Sequence, residues 1–310
     1  MGHVNVIGSL IFSGMTGSAV ADASGVGILE VEQMRKHGYD AGFSCAVTVT
    51  SATIGPVFPP SIPMIFYAML SGASIGALFM GGMIPGLVMS AALMVYIAYI
   101  AKKRNYPRGN PFVLDAFLAA TFKAIPALLT PVILLGGIYS GVVTPTEAGA
   151  LAALYAIIVA FLVYRSMGLG ELWDVTVDTA KTTGVLSLIV GASFAFSFIV
   201  AKEHIPDTVG ALLLGITQNK YVLLLIINVV FLALGMFIDT STIMLVFIPM
   251  VLPLVRELGI DLTHFGVMIV LNKMLGLTTP PFGVQLYIDS GNTRVPLQEI
   301  NKETQPMVIV

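Results

Sequence analysis

The stretch "LGLTTPPFGVQLY", Leu275 to Tyr287, places two prolines and two glycines inside an otherwise apolar run of helix length. Proline has no N–H to donate and its ring clashes with the preceding turn, so a helix entering this stretch must stop and restart. Nearly the same interruption occurs in "TIGPVFPPSIPMIFY", Thr53 to Tyr67. Two similar breaks in one chain call for an account of the solvent around them and of what the broken ends do.

Composition fixes the solvent. Of 310 residues, 56% are hydrophobic and only 10% charged, and the mean hydropathy is +0.92, so the chain is read as living in lipid. The formal net charge of −2, with no basic stripe beyond Lys102, Lys103, Arg104 and Arg108, excludes a nucleic-acid partner. Cys45 is the sole cysteine, which rules out an internal disulfide framework and a paired-cysteine metal site. His3, His37, His204 and His264 are scattered without metal-ligand spacing, and no cofactor is expected. The apolar start, residues 3–21, lacks a basic leader region and reads as mature protein. The chain opens and closes inside apolar runs, which reads as a sequence cut at both ends.

The expected fold is an all-α polytopic membrane protein. At the ~20 residues a bilayer core demands, crossings are expected near 41–72, 76–101, 126–142, 146–164, 183–201 and 263–288. The apolar stretches 3–34 and 221–255 are too long for one span and are interrupted by "GMTGSAVAD" and "GMFIDTST". Re-entrant helical hairpins fit both, their irregular tips tolerated at membrane depth because they are buried in protein or line a wet cavity. Residues 108–123 and the stretch "GELWDVTVDTAK", with Trp173 as an interfacial anchor, are expected to lie in the membrane plane. In the stretch "GVVTPTEAG", Thr144 or Thr146 is expected to cap the next helix with Glu147 in its first turn.

The basic cluster at Lys102 to Arg108 belongs in the cytoplasm, so the first hairpin opens inward and the second, five crossings later, opens outward. The two halves also match at one fixed offset. Gly14 and Gly235, Met15 and Met236, Arg35 and Arg256, Gly38 and Gly259, Asp40 and Asp261, Gly55 and Gly276, and the pairs Pro59-Pro60 and Pro280-Pro281 all lie 221 positions apart. These matches sit at tips, turns and breaks, where backbone geometry is demanding. Inverted repeats carrying interrupted helices at corresponding positions point to a midplane binding site in a secondary transporter. The expected organisation is a first hairpin and broken helix over 1–72, scaffold spans and in-plane helices over 73–218, a second hairpin and broken helix over 219–290, and the start of a further span over 291–310.

A broken membrane helix exposes half-helix N-termini, which favour anions, and C-terminal carbonyls, which favour cations. Candidate ion and solute contacts in the first repeat are Thr16, Gly17 and Ser18 at the tip, with Ser51, Thr53, Gly55, Pro59, Pro60 and Ser61 at the break. In the second they are Asp239, Thr240 and Ser241, with Asn272, Gly276, Thr278, Thr279, Pro280 and Gly283. Neutral oxygens of this kind suit a weakly held hard cation beside a polar or anionic solute. The alternative is a pair of kinks whose hydroxyls bond their own backbone. Asp22 and Asp239 are intramembrane carboxylates: each is either a proton or cation ligand or a local cap, and a third reading makes them the dyad of an intramembrane aspartyl protease. Lys273 either contacts an anionic solute, pairs with Asp239, or is structural.

Four segments, "GMTGSAVADASGVG", "RKHGYDAGFSCAVTVTSATIGPVFPPSIPMIFYA", "GGIYSGVVTPTEAGALAALYA" and "NKMLGLTTPPFGVQLY", together closely resemble the large membrane subunit of TRAP transporters, the tripartite ATP-independent periplasmic family. The resemblance covers essentially the whole chain. It implies a bacterial or archaeal inner-membrane importer of organic acids, driven by an ion gradient, usually sodium, with a periplasmic solute-binding protein and a small membrane subunit as partners. It further implies that hairpins and broken helices form a transport domain moving as an elevator against a scaffold. The coupling sodium is then expected at Ser18 and Gly55 in the first repeat and at Ser241, Gly276 and Thr279 in the second. Family members also carry further spans before the first hairpin and one after the second broken helix, on which docking of the small subunit partly rests. A single-component sodium/dicarboxylate carrier of related fold is the alternative within transport.

Overall fold

In the computed structural model, residues 1–107 and 113–309 are described; they form fifteen helices, with no strand among them. The chain divides into two compact units, Met1–Gly109 with Ala195–Val310, and Asn110–Phe194. The larger unit contains both hairpins and both broken helices.

The first hairpin is built from α1 (Gly2–Thr16), α2 (Ala19–Ser24) and α3 (Val26–Lys36). The first broken helix is α4 (Ala41–Ala52), an irregular stretch, and α5 (Ile62–Ser71). Three prolines, Pro56, Pro59 and Pro60, withhold the N–H groups that would continue α4. Ser61 starts the helix again by accepting from Met64 N–H at 3.2 Å, and Pro63 sits in its first turn, where a missing N–H costs nothing. The long span α6 (Ile75–Lys103) follows, tolerating Pro85.

The second unit contains α7 (Leu114–Ser140), α8 (Pro145–Ile158), which continues as a π-helical turn to Val163, and the greater part of α9 (Leu169–Lys202). Thr144 and Glu147 close a full capping box at the start of α8: Thr144 N–H donates to Glu147 Oε2 at 2.7 Å and Glu147 N–H to Thr144 Oγ1 at 3.3 Å. Of the two threonines weighed, Thr144 is the cap.

The separate in-plane helices expected here are not found. Residues 114–123 are the first turns of α7, which runs on through Pro126 and Pro131, and "GELWDVTVDTAK" is the beginning of α9, where no proline interrupts the helix. Trp173 is 69% exposed on α9. Arg108 to Phe112, part of the expected in-plane stretch, lie outside the described residues.

The second hairpin is α11 (Lys220–Gly235) and α12 (Thr240–Glu257), preceded by α10 (Ile205–Ile216), a helix the sequence reading did not anticipate. The second broken helix is α13 (Leu262–Leu277) and α14 (Val284–Thr293), separated by Thr278 to Gly283. The last helix, α15 (Leu297–Ile309), lies along α4, burying Ile300, Thr304 and Met307.

Among the described residues five helices are long and apolar enough to cross a membrane, α6, α7, α8 with its π turn, α9 and α12, and α10 with α11 would pass as one bent pair. The half-helices α4, α5 and α13 are apolar but too short to cross alone, as expected of spans cut in the middle. The halves are exchanged between repeats. The second half of the first broken helix, α5, packs on α12 of the second hairpin, and α14 packs on α2 of the first. Polar bonds pin both exchanges: Arg256 Nη2 donates to Ser71 O at 2.7 Å, and the buried Gln285 Nε2 donates to Ala19 O at 2.8 Å. Tyr67, fully buried, adds a bond from its hydroxyl to Leu262 O at 2.7 Å.

Candidate functional site

Each hairpin tip is hydrogen-bonded to the break of its own repeat. In the first repeat Ile62 N–H donates to Gly17 O at 3.4 Å; in the second Gly283 N–H donates to Met236 O at 3.2 Å. Ile62 and Gly283 are 221 positions apart, the offset of the sequence repeat. Ile62 is the first residue of α5 and Gly283 the N-cap of α14, so both donors lie at the start of the restarted half-helix, where N–H groups lack intrahelical partners. The Pro59–Pro60 and Pro280–Pro281 peptide bonds are both cis.

Close approach explains two of the glycines. Gly17 has φ +60, and a Cβ there would lie 2.5 Å from Pro60 O; a Cβ on Gly276 would lie 2.9 Å from Gly235 Cα. Only glycine lets these backbones meet. The C-terminal ends of α1 and α4, and of α11 and α13, are thereby brought beside the tips, with partial negative charge concentrated at those ends.

Side chains then link each hairpin to its broken helix. Ser51, near the end of α4, donates to Asn5 Oδ1 at 2.9 Å and lies 2.9 Å from Ser9 Oγ, both on α1. Asn5 Nδ2 also donates to Thr48 Oγ1 at 2.7 Å. The counterpart of Ser51 at the repeat offset, Asn272 of α13, donates to Asn228 on α11. Ser51 and Asn272 each bond to the hairpin of their own repeat, and their partners Asn5, Ser9 and Asn228 were not among the candidates. The signal was present, since an asparagine inside "LLIINVVFL" is costly in lipid without a partner.

Several buried oxygens at these junctions have no hydrogen-bond partner among the described residues: Thr16 Oγ1, Thr240 Oγ1 and Asn272 Oδ1. Buried polar atoms are ordinarily paired, so oxygens left bare at two tips and one break stand out.

The remaining candidates are placed as follows. Ser18 caps α2, accepting from Ala21 N–H at 3.3 Å. Asp22, beside it and fully buried, therefore is not the cap. Asp239 does cap: its Oδ2 accepts from Ser241 N–H at 2.9 Å, and the residue is exposed. The two aspartates thus sit on different hairpins in different roles, and no hydrogen bond joins them among the described residues. The hydroxyls of Thr53, Thr278 and Thr279 donate back to their own helices, to Thr50 O and, for the last two, Leu275 O. Their protons are spent, and their lone pairs are still free to accept. Gly55, Pro59, Pro60 and Ser61 are buried in the first break, whereas Thr279 and Pro280 are half-buried in the second.

Lys273 does not pair with Asp239. It is fully buried, its Nζ has no hydrogen-bond partner among the described residues, and the ammonium lies 5.0 Å from the centre of the Phe231 ring. One buried carboxylate was overlooked: Asp289 on α14, which lies against the Cys45 thiol. The described residues contain no cluster of histidine, cysteine and carboxylate side chains suited to a transition metal.

A cavity of about 120 Å³ reaches both breaks, lined by Thr50 and Thr53 from the first, Leu275 and Thr278 from the second, and Leu93 and Met307 among its apolar walls. A second, of about 330 Å³, continues past Thr278, Thr279 and Pro280. The two breaks, far apart in sequence, therefore face one space.

This pairing of tips, breaks and shared cavity extends over the same chain length as a known family. The model of the tripartite ATP-independent periplasmic transporter DctM component matches residues 1–310. The chain belongs to this family of TRAP transporter large permeases. It is 42% identical over 309 residues, all of the chain and 72% of the relative, to the sialic acid TRAP transporter large permease protein SiaM of Vibrio cholerae. Identity is 39% over the whole chain and 50% of the relative for the sialic acid TRAP transporter permease protein SiaT of Haemophilus influenzae. It is 36% over 98% of the chain and 71% of the relative for the C4-dicarboxylate TRAP transporter large permease protein DctM of Pseudomonas aeruginosa. The chain thus spans between half and about three quarters of these relatives. They are transport proteins, and the aspartyl-protease reading is set aside.

Proposed function

We propose that this TRAP permease chain carries an organic acid across the bacterial or archaeal inner membrane together with sodium, and that the two tip-to-break junctions form the ion and solute sites. The observation that carries the reading is the duplicated junction itself. In each repeat a half-helix N–H is bonded to the tip carbonyl, with bare oxygens of Thr16 or Thr240 alongside. Half-helix C-termini and neutral oxygens favour a hard, weakly held cation such as Na⁺. Half-helix N-termini favour a carboxylate; the shared cavity itself is lined by the ends of α4 and α13, through Thr50, Thr53, Leu275 and Thr278.

In this reading Ser18, with the carbonyl of Gly55, serves the first cation site, and Ser241 and Thr279, with the carbonyl of Gly276, serve the second. Thr53 and Thr278 receive the solute between the breaks. A periplasmic binding protein delivers the acid and a small membrane subunit completes the complex; hairpins and broken helices move together as an elevator. The names of the relatives, which include sialic acid and C4-dicarboxylate permeases, support an organic acid as cargo.

The test is uptake by the intact transporter containing this chain, reconstituted in vesicles with its binding protein. Uptake should need the binding protein and an inward sodium gradient. Uptake unchanged when choline replaces sodium but abolished by collapsing a proton gradient would remove the sodium assignment. Uptake indifferent to any binding protein would favour a single-component carrier.

A further inference from the structure

The repeats differ in one charge. In the second repeat the C-terminal ends of α11 and α13 meet at Gly235 and Gly276, and Lys273 delivers its ammonium to that point: a Cβ on Gly235 would lie 3.1 Å from Lys273 Nζ and 3.4 Å from Gly276 Cα. Two converging helix C-termini concentrate negative potential, which attracts a cation. Lys273 is fully exposed to that potential and to little else, since Nζ has neither a carboxylate nor a hydrogen-bond partner among the described residues and touches the face of Phe231. It is also the one basic side chain among the described buried residues.

The corresponding position of the first repeat carries no charge. The residue 221 positions before Lys273 is Ala52, the last residue of α4, and it too is fully buried. The bare Thr16 Oγ1 lies at the end of α1, and among the described residues no buried basic side chain serves the first repeat. A mobile cation placed in the second repeat meets the Lys273 ammonium in a site of low dielectric and is repelled by it.

We infer that Lys273 is a tethered cation that takes the place of one coupling ion, so that sodium is carried by the first repeat and excluded from the second. The inference rests on the sodium-coupled reading above. It narrows that reading: Ser241, Gly276 and Thr279 then surround an ammonium rather than Na⁺.

The intact transporter tests this through the order of its sodium dependence, read both as uptake and as sodium-induced thermal stabilisation without solute. Wild type should respond with a Hill coefficient of about 1, and Lys273→Met and Lys273→Gln should each rise to about 2 as a second sodium enters. Lys273→Arg, which keeps the charge, should stay first-order. A wild-type coefficient of about 2, neutral variants that stay first-order, or neutral variants whose sole change is a higher KM for the solute would each overturn the inference, the last by making Lys273 a solute contact. Wild type that neither takes up solute with sodium nor is stabilised by it would instead overturn the sodium-coupled reading, and this inference with it.

Discussion

Asn272 Nδ2 donates to both the backbone carbonyl and the side-chain Oδ1 of Asn228, at 2.9 and 3.0 Å, and so joins the second broken helix to its hairpin. In lipid neither asparagine has water as a substitute partner. Truncating either breaks the side-chain bond between them, at a cost of about 1 kcal/mol. Asn228→Ala and Asn272→Ala should therefore each lower the melting temperature, and the double variant should fall by less than the sum, because both singles break one contact. Strict additivity in a thermal-melt cycle would show that the two residues act separately.

Gly17 offers a sharper test of the tip-to-break junction. Alanine there would be strained by the positive φ and would also drive its methyl into Pro60 O. Gly72 has φ +74 but nothing within 4 Å of an added Cβ, so it isolates the strain, about 1 kcal/mol. Gly17→Ala should abolish uptake while Gly72→Ala retains most of it, with both proteins reaching the membrane. Equal activity of the two would mean that contact between tip and break is dispensable.

Much of this arrangement was legible in the sequence because backbone demands leave traces. The prolines that stop α4 and α13, the glycines at the tips and the common offset located both junctions; the donors Ile62 and Gly283 obey that offset, whereas their acceptors Gly17 and Met236 do not. Side-chain bridges are less constrained. Asn228 corresponds by offset to Ile7, not to Asn5, so a fixed-offset comparison passes over the pair although both do the same work against Asn272 and Ser51. The continuity of α7 and α9 was hidden for a different reason: charged and amphipathic turns suggested a boundary, but no proline interrupts α9 anywhere from Leu169 to Lys202. Asp289 was overlooked because it lies after the break, in "YIDSGN", where polar composition reads as a loop.

Outside the membrane, Arg104 ties the loop after α6 to both α4 and α15. Its guanidinium grips Glu303 with two bonds of 2.7 and 2.9 Å and reaches Asp40 at 3.3 Å, while Tyr106 donates to Asp40. Burial, with the bond to Asp40, pushes the Tyr106 hydroxyl up to about 12. A phenol raised above its unfolded value near 10 contributes stability that is complete below pH 10 and lost as pH climbs through 12. Glu303→Gln keeps the shape but weakens a charge-assisted pair, so it should cost about 1 kcal/mol at pH 7, with high salt reducing the difference. Ultraviolet titration of wild type against Tyr106→Phe should show one late-ionising tyrosine missing; loss of an ordinary one near pH 10 would contradict the buried bond.

The bare hydroxyls at the tips separate ion binding from folding. Thr16 Oγ1 makes no hydrogen bond within the described structure, so replacing it by the isosteric valine removes no protein contact and should leave the sodium-free melting temperature within about 1 kcal/mol of wild type. If that oxygen is a sodium ligand, Thr16→Val should raise the sodium concentration for half-maximal uptake about tenfold, equivalent to about 1.4 kcal/mol, and should reduce sodium-induced stabilisation by the same free energy. Thr16→Ser, which restores the oxygen, should recover both. With Lys273 occupying the second junction, Thr240→Val should leave the sodium response unchanged, although its hydroxyl is equally bare. A valine at Thr16 that destabilises the sodium-free protein while leaving the sodium titration intact would assign this hydroxyl to packing, and the cation site would have to be sought among the carbonyls of the break.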